Sequence, residues 1–455
     1  MREALSLAPR RASMPPMSRG PSLLALALAS SAFVTSACSP SPPPSKSALG
    51  EGDAPAGSGT KVSSAWIGDP GPVEPEPVRR EPPTPAARSF AEEVKLLYRV
   101  AVCASDAPLP PDLDAGVVSA HCAEVRPKLE AYKKRYVSVA RPFLTALEPK
   151  SLPAKVVYPF GGGDLATALT TFPEAAEYTT VSLELVGDPR RIRHISKDSL
   201  EESLRRLRFE MGELYFLDDY SKSETLKKTQ RGDLPGELAL FLAGLAVHGL
   251  EPVDLRYFTL AADGSIHYLT AEEIDKVDHT VAMNRKATWT PPDFSEAFAN
   301  AEITFKVRGG GPDAPLRIHR HIAQNLADDH LKADPALIHH LEPKGTVTAM
   351  TKAASYLLWQ DGFSIIRGYL LNHMVFMISD STGIPPAFAE PAGFVQETYG
   401  TFSRSLLPAK AVHNRDFREL WMKQPKRPLP FRFGYLSAKQ NHLLVTRKSG
   451  PGAPP

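Results

Sequence analysis

The chain has 455 residues, 42% hydrophobic and 23% charged, with 53 basic side chains against 51 acidic ones and a formal net charge of +2. Loss of the four arginines and one glutamate that precede Cys38 leaves 49 basic against 50 acidic. So even a balance excludes the electrostatic footprint of a nucleic-acid binder and any general attraction to anionic lipid.

Arg10, Arg11 and Arg19 precede an apolar run from Leu23 to Val34. The run is shorter than the about 20 residues a transmembrane helix needs and fits the core of a signal peptide. It ends in Thr35-Ser36-Ala37-Cys38, followed at once by Ser39-Pro40-Ser41-Pro42. This layout resembles a bacterial lipoprotein signal. The resemblance implies that residues 1–37 are removed, that Cys38 is acylated, and that the protein is held in the cell envelope by its lipid. Ser39 is similar to the residue that follows the cysteine in the outer-membrane sorting class. Met14 and Met17 offer internal starts with the same apolar core, and a plain secretory signal cut near Ala37 is the alternative.

Residues 38–87 are dominated by Pro, Ser, Gly and Ala, with Pro82-Pro83-Thr84-Pro85 near the end. Such composition cannot bury enough apolar surface to offset the entropy of ordering, so this stretch reads as a disordered tether. Folded structure is expected from about Ser89 to Lys448. Residues 88–150 read as a helical region. Phe90, Val94, Leu97 and Val100 recur at helical spacing, and a second helix spans about Val117 to Leu147, with bends expected at Pro127 and Pro142. With Cys38 set aside, Cys103 and Cys122 remain as a pair. A bridge between them closes a loop of about 20 residues, worth roughly 3 kcal/mol in the chain-entropy model, and an oxidising envelope preserves it. Two buried free thiols are the alternative.

Residues 151–448 read as an α/β domain. Val156 to Phe160 is a short apolar strand, Gly161-Gly162-Gly163 a break, Asp164 to Phe172 a helix capped by Asp164, and Tyr178 to Val186 a second strand, together a Rossmann-like βαβ unit. Helices follow over Leu200–Tyr215 and Glu237–His248. Val253–Leu260 pairs with Ser265–Leu269 as a hairpin, and Ile303–Val307 with Leu316–Ile322. Thr346–Trp359 and Phe363–Asn372 read as two helices, Met374–Ile378 as a buried strand. Asp416–Met422 is a helix, and Phe431–Tyr435 and His442–Thr446 are closing strands.

Three groups of residues carry chemistry. The Gly161-Gly162-Gly163-Asp164 turn, followed by a strand bearing Glu184, resembles motif one of Rossmann-type S-adenosylmethionine methyltransferases. The resemblance implies that Gly161 and Gly163 let the backbone approach a cofactor and that Glu184 holds its ribose. Asp164 points the other way, since its carboxylate already satisfies the amides at the helix start and repels phosphate. Glu184, followed by Leu185-Val186, reads as lying within its strand. His319 and His321 alternate on a strand and share a face, a pair able to ligate zinc if a carboxylate joins them. On an exposed edge strand they are instead solvated imidazoles. Ser379-Asp380-Ser381-Thr382-Gly383 follows a buried strand, where α/β proteins place ligands. There Asp380 is a candidate base and Ser381 a candidate nucleophile, although the same letters make a turn. Lys352 and Ser355, three apart, are expected to share a helical face.

From Tyr158 onward the chain also resembles a group of uncharacterised bacterial proteins, through Tyr158-Pro159-Phe160-Gly161-Gly162-Gly163-Asp164, Lys352 to Leu358, Asp380 to Pro385 and Phe433-Gly434-Tyr435. No activity attaches to that group. The expectation is therefore an envelope lipoprotein whose tethered α/β domain binds or scaffolds an envelope ligand or protein. An extracytoplasmic hydrolase using Asp380 and Asp164 is one alternative. A methyltransferase-like fold with lost or altered ligand binding is the other, and no cofactor is assigned.

Overall fold

The structure, a computed structural model, describes residues 87–212, 215, 233–276, 296–352, 354–380, 382–401, 414–433 and 441–449. Cys38, the tether and Ser381 lie outside the described residues. Ten strands form one mixed sheet: β1 (Lys155–Pro159), β2 (Glu177–Ser182), β3 (Leu250–Leu260), β4 (Ile266–Tyr268), β5 (Asn300–Val307), β6 (Arg317–Ala323), β7 (Val347–Thr351), β8 (Met374–Ser379), β9 (Phe394–Thr401) and β10 (Asn441–Lys448). Their order across the sheet is β4-β3-β5-β6-β2-β1-β7-β8-β10-β9.

The parallel centre explains why β1, β2, β7 and β8 are buried along nearly their whole length. β1 pairs in parallel with both β2 and β7, β2 with β6, and β7 with β8, and a parallel strand covered on both faces has no solvent side. Successive side chains alternate between the two faces. Val156 and Tyr158 enter one apolar core while Val157 enters the other. The first core is filled by α1 (Ala91–Val100), α2 (Ala115–Tyr132), α3 (Ser138–Thr145), α4 (Leu165–Thr171), α5 (Lys197–Met211) and α6 (Gly236–Val247). The second is covered by α7 (Ser364–His373) and short helical turns that bring in Leu331, Leu337 and Ala389. Antiparallel strands flank the parallel centre: β5 and β3 beyond β6, β10 between β8 and β9. The last helix, α8 (Asn414–Lys423), buries Phe417 against Trp359. The fold is thus mixed α/β with an N-terminal helical region, as expected, and α1 to α3 share its main core.

Several local expectations are corrected. Thr346–Trp359 is not a helix, because Val347–Thr351 is the parallel strand β7 wedged between β1 and β8, followed by a turn of 3-10 helix over Ser355–Trp359. Lys352 and Ser355 therefore share no helical face. β9, unanticipated, lies at the sheet's edge with Phe394, Gln396 and Thr398 turned inward. Pro127 and Pro142 both sit inside helices, and the irregularity between them is a π-helical turn over Lys133–Val137. Phe431 and Phe433 are buried but not in a strand. Cys103 and Cys122 stand 5.4 Å apart at Cα with their sulfurs bonded, a separation that a disulfide admits. They join the chain just after α1 to α2.

Candidate functional site at the switch point of the sheet

From β1 the chain moves one way across the sheet to β2 and β6, and β7 and β8 lie on the other side of β1. The region beyond the carboxyl ends of β1 and β7 is therefore the topological switch point, where open α/β sheets hold their ligands. The glycine turn stands there. Its backbone enters the left-handed region at Gly162 (φ 48°) and at Phe160 (φ 62°), the latter an uncommon conformation for a bulky side chain and one that clusters at functional sites.

Asp164 closes the turn and caps α4, with Oδ1 accepting from the Thr167 amide at 3.2 Å and the Thr167 hydroxyl at 2.6 Å. Its other oxygen, Oδ2, accepts from the Tyr158 hydroxyl and from Lys352 Nζ, both at 3.1 Å. Lys352 also donates to Thr167 Oγ1 at 3.0 Å. This ammonium is where it is because Lys352 immediately follows β7, next to the strand that carries Tyr158 and the turn. The ion pair is almost wholly buried, at 6% and 9% side-chain exposure. Burial, and after it the Asp164 carboxylate, push the Tyr158 phenol well above its usual range, so Tyr158 acts as a fixed donor.

Three glutamates lie on the α6 side of the turn. Glu237, at the start of α6, is 1% exposed, and neither carboxyl oxygen has a hydrogen-bond partner among the described residues. A Cβ placed on Gly163 would lie 3.3 Å from Glu237 Oε2 and 2.8 Å from Leu240 Cδ1, so only a glycine permits α6 to approach the turn this closely. Burial, reinforced by the nearby charges of Glu184 and Glu210, pushes the Glu237 carboxyl well above the usual carboxylate range. Glu184 and Glu210 are themselves buried, at 3% and 2%. Contrary to the expectation of a mid-strand position, Glu184 stands two residues past the end of β2, at the strand's tip. Tyr215 is fully buried nearby. It donates to the Leu240 carbonyl at 2.9 Å, and its phenol is raised first by burial and then by both Asp164 and Glu237.

Asp380 directly follows β8. It is 1% exposed, its amide donates to the Thr351 carbonyl at 3.2 Å, and its charge reaches Tyr158. Behind it the hydroxyls of Ser355 and Thr382 meet at 2.5 Å. Asp164, Glu184 and Asp380 are thus all buried, each in the segment that follows the carboxyl end of a parallel strand.

The histidine pair has a different setting. β6 is an interior strand, and His319 and His321 are 0% and 1% exposed, which removes the edge-strand expectation. Both rings meet Thr180 Oγ1 at 2.9 Å, and His321 Nε2 also bonds the Glu184 carbonyl oxygen at 2.8 Å. Phe241 packs against both rings. Burial drives His321 down to about 4 and His319 well below its usual value, so both are neutral. The carboxylate a zinc site needs is missing, since no group of three His, Cys, Asp or Glu side chains able to hold a metal occurs among the described residues.

Glu237, Glu210 and Thr167 did not stand out in the sequence. Glu237 had one legible signal, an acid opening an otherwise apolar helix whose whole circumference is buried. Comparisons with protein-family models, curated proteins and solved structures find no match to this chain.

Proposed function

We propose that this is a lipid-anchored envelope protein whose α/β domain is a binding module for a small ligand bearing a cationic group, seated at the carboxyl ends of β1, β2 and β7. One observation carries the reading. Glu237 is a buried carboxyl with no hydrogen-bond partner among the described residues, pressed against a glycine turn beside two more buried glutamates. A fold gains nothing from such a group, because burying an unsatisfied carboxyl costs several kcal/mol. An ammonium or similar cation satisfies it and lowers its proton affinity. Asp164, already held by Lys352, Tyr158 and Thr167, is a positioning residue for the turn.

A second reading, a methyltransferase-like domain with an altered ligand, draws support from the strand order. Counted within β1, β2 and β6 to β10, the order is 3-2-1-4-5-7-6 with the seventh strand antiparallel, similar to the Rossmann-type methyltransferases whose glycine turn the sequence resembles. The ligand would then be a sulfonium, also a cation. Lys352 at the switch point argues for a changed ligand, since its ammonium is of like charge.

The test is native mass spectrometry and thermal shift on the full-length protein with putrescine, spermidine, S-adenosylmethionine and its uncharged thioether product. Stabilisation by a cationic member, and its loss in Glu237→Gln, are expected. Stabilisation by none, or equal stabilisation of Glu237→Gln, overturns the reading. The anchor is tested separately: Cys38→Ala should move the protein from the membrane to the soluble envelope fraction.

A further inference from the structure

A second site stands apart from the switch point. Between α1, the start of α5 and the 3-10 turn Arg190–Arg193 lies a cleft of about 570 Å³, within the range of small-molecule sites. Four arginines line it, Arg88, Arg190, Arg191 and Arg193, and no residue of the switch-point cluster does. Three of them share the one short turn.

Each arginine is held from one side by a carboxylate. Arg190 is clamped by Asp188 through Nε and Nη2 at 2.9 to 3.0 Å. Arg191 Nη1 donates to Asp233 at 2.6 Å, Arg193 Nε to Glu93 at 3.0 Å, and Arg88 Nη1 to Asp275 at 2.8 Å. A guanidinium has five N–H donors in a rigid fork. These single contacts leave the remaining nitrogens of Arg88, Arg191 and Arg193 without partners among the described residues. Only Glu93 and Asp233 of the four carboxylates line the cleft, so its wall presents more cation than anion. The first turn of the 15-residue α5 adds Ser196 and Ser199 to the same wall, with Ser196 Oγ accepting from the Ser199 amide at 3.3 Å.

Pre-oriented guanidinium forks around a concave space match the geometry of a phosphate group, which takes two parallel N–H donors from each arginine it meets. We propose that this cleft binds a phosphate-bearing anion, either a soluble phosphate compound or the headgroup of an anionic lipid. The experiment is calorimetric titration of the full-length protein with inorganic pyrophosphate at low salt. Alongside it runs co-sedimentation with phosphatidylcholine vesicles with and without phosphatidic acid, using the Cys38→Ala form so that the anchor does not contribute. One-site pyrophosphate binding is expected, weakened at least tenfold by Arg193→Gln and by Arg88→Gln and strengthened several-fold by Glu93→Gln. Circular dichroism checks that each variant is folded. The Glu93 variant separates a ligand site from a set of structural ion pairs, because removing an acid that only braces Arg193 would not tighten anything. Pyrophosphate binding without vesicle binding identifies a soluble ligand, and vesicle binding that pyrophosphate displaces identifies a lipid headgroup. No pyrophosphate binding at millimolar concentration, binding indifferent to Arg193 and Arg88, or vesicle binding that pyrophosphate leaves intact overturns the proposal.

Discussion

Replacing Lys352 by methionine keeps the length of the side chain and removes only the ammonium that meets Asp164 at 3.1 Å. Breaking a buried pair costs about 3–5 kcal/mol when the surviving charge is left uncompensated. Asp164 keeps the Tyr158 hydroxyl and both donors of Thr167, and charge-assisted bonds of that kind are each worth about 1.5–3 kcal/mol. Lys352→Met should therefore fall at the lower end, about 3 kcal/mol, or roughly 6 °C in Tm at the scaling of large domains. Asp164→Asn preserves the α4 cap, because asparagine caps about as well as aspartate, but leaves the ammonium facing a neutral amide, at a cost of about 3–5 kcal/mol. In the double variant both charges are gone, and the two single costs should fail to add by about 2 kcal/mol. Urea unfolding of all four proteins at pH 7, followed by circular dichroism, measures the cycle. Additive costs, with coupling below about 0.5 kcal/mol, would refute an ion pair at the switch point.

Acid should destabilise the protein before its carboxylates titrate. Burial holds His121, His321, His340 and His442 at about 4 and His248 at about 3, and pushes His319 well below its usual value, against about 6.5 in the unfolded chain. The unfolded state then binds more protons, so stability is full above pH 6.5 and falls from there to pH 4, by about 1.4 kcal/mol per pH unit for each histidine. Glu148, raised to about 7 by burial, and Glu237 run in the opposite sense but are outnumbered, and a urea midpoint flat between pH 7 and 5 would contradict the account. Arg320→Met should cost about 3–5 kcal/mol, since Arg320 bridges Glu177 and Glu302, buried at 6% and 2%, at 3.1 and 2.9 Å; a loss under 1 kcal/mol in thermal melts would show the bridge to be unimportant. Thiol counting on unfolded, unreduced protein should find neither Cys103 nor Cys122 free, and reduction should lower stability by about 3 kcal/mol.

Much of this architecture was legible in residue patterns. α1, α4, α6, the β3–β4 hairpin and β8 follow from periodicity and capping, which are local properties. The errors arose where local preference and tertiary setting part. Val347-Thr348-Ala349-Met350-Thr351 runs without a break into Ser355-Tyr356-Leu357-Leu358, and nothing within that stretch says that the first five residues will be walled in by β1 and β8. β9 buries Gln396 and Thr398 beside Phe394, so its inward face is too polar to read as a core strand. His319 and His321 share a face by strand geometry alone, but whether that face meets solvent or Phe241 depends on which strands flank β6.

The candidate site divides in the same way. A glycine turn capped by Asp164, an acid beyond the next strand and an acid after a buried strand are written in the chain, because turns, caps and strand ends are set by neighbours in sequence. The partnership of Asp164 with Lys352 spans 188 positions, and the approach of Glu237 to Gly163 depends on α6 packing over the turn. Both were decided by the strand order, which brings β7 beside β1, and by the close packing of helix against sheet. Local chemistry determined which residues could serve at the carboxyl ends of these strands. Only the tertiary arrangement determined which of them would be buried together, because burial and electrostatic coupling depend on distance in space.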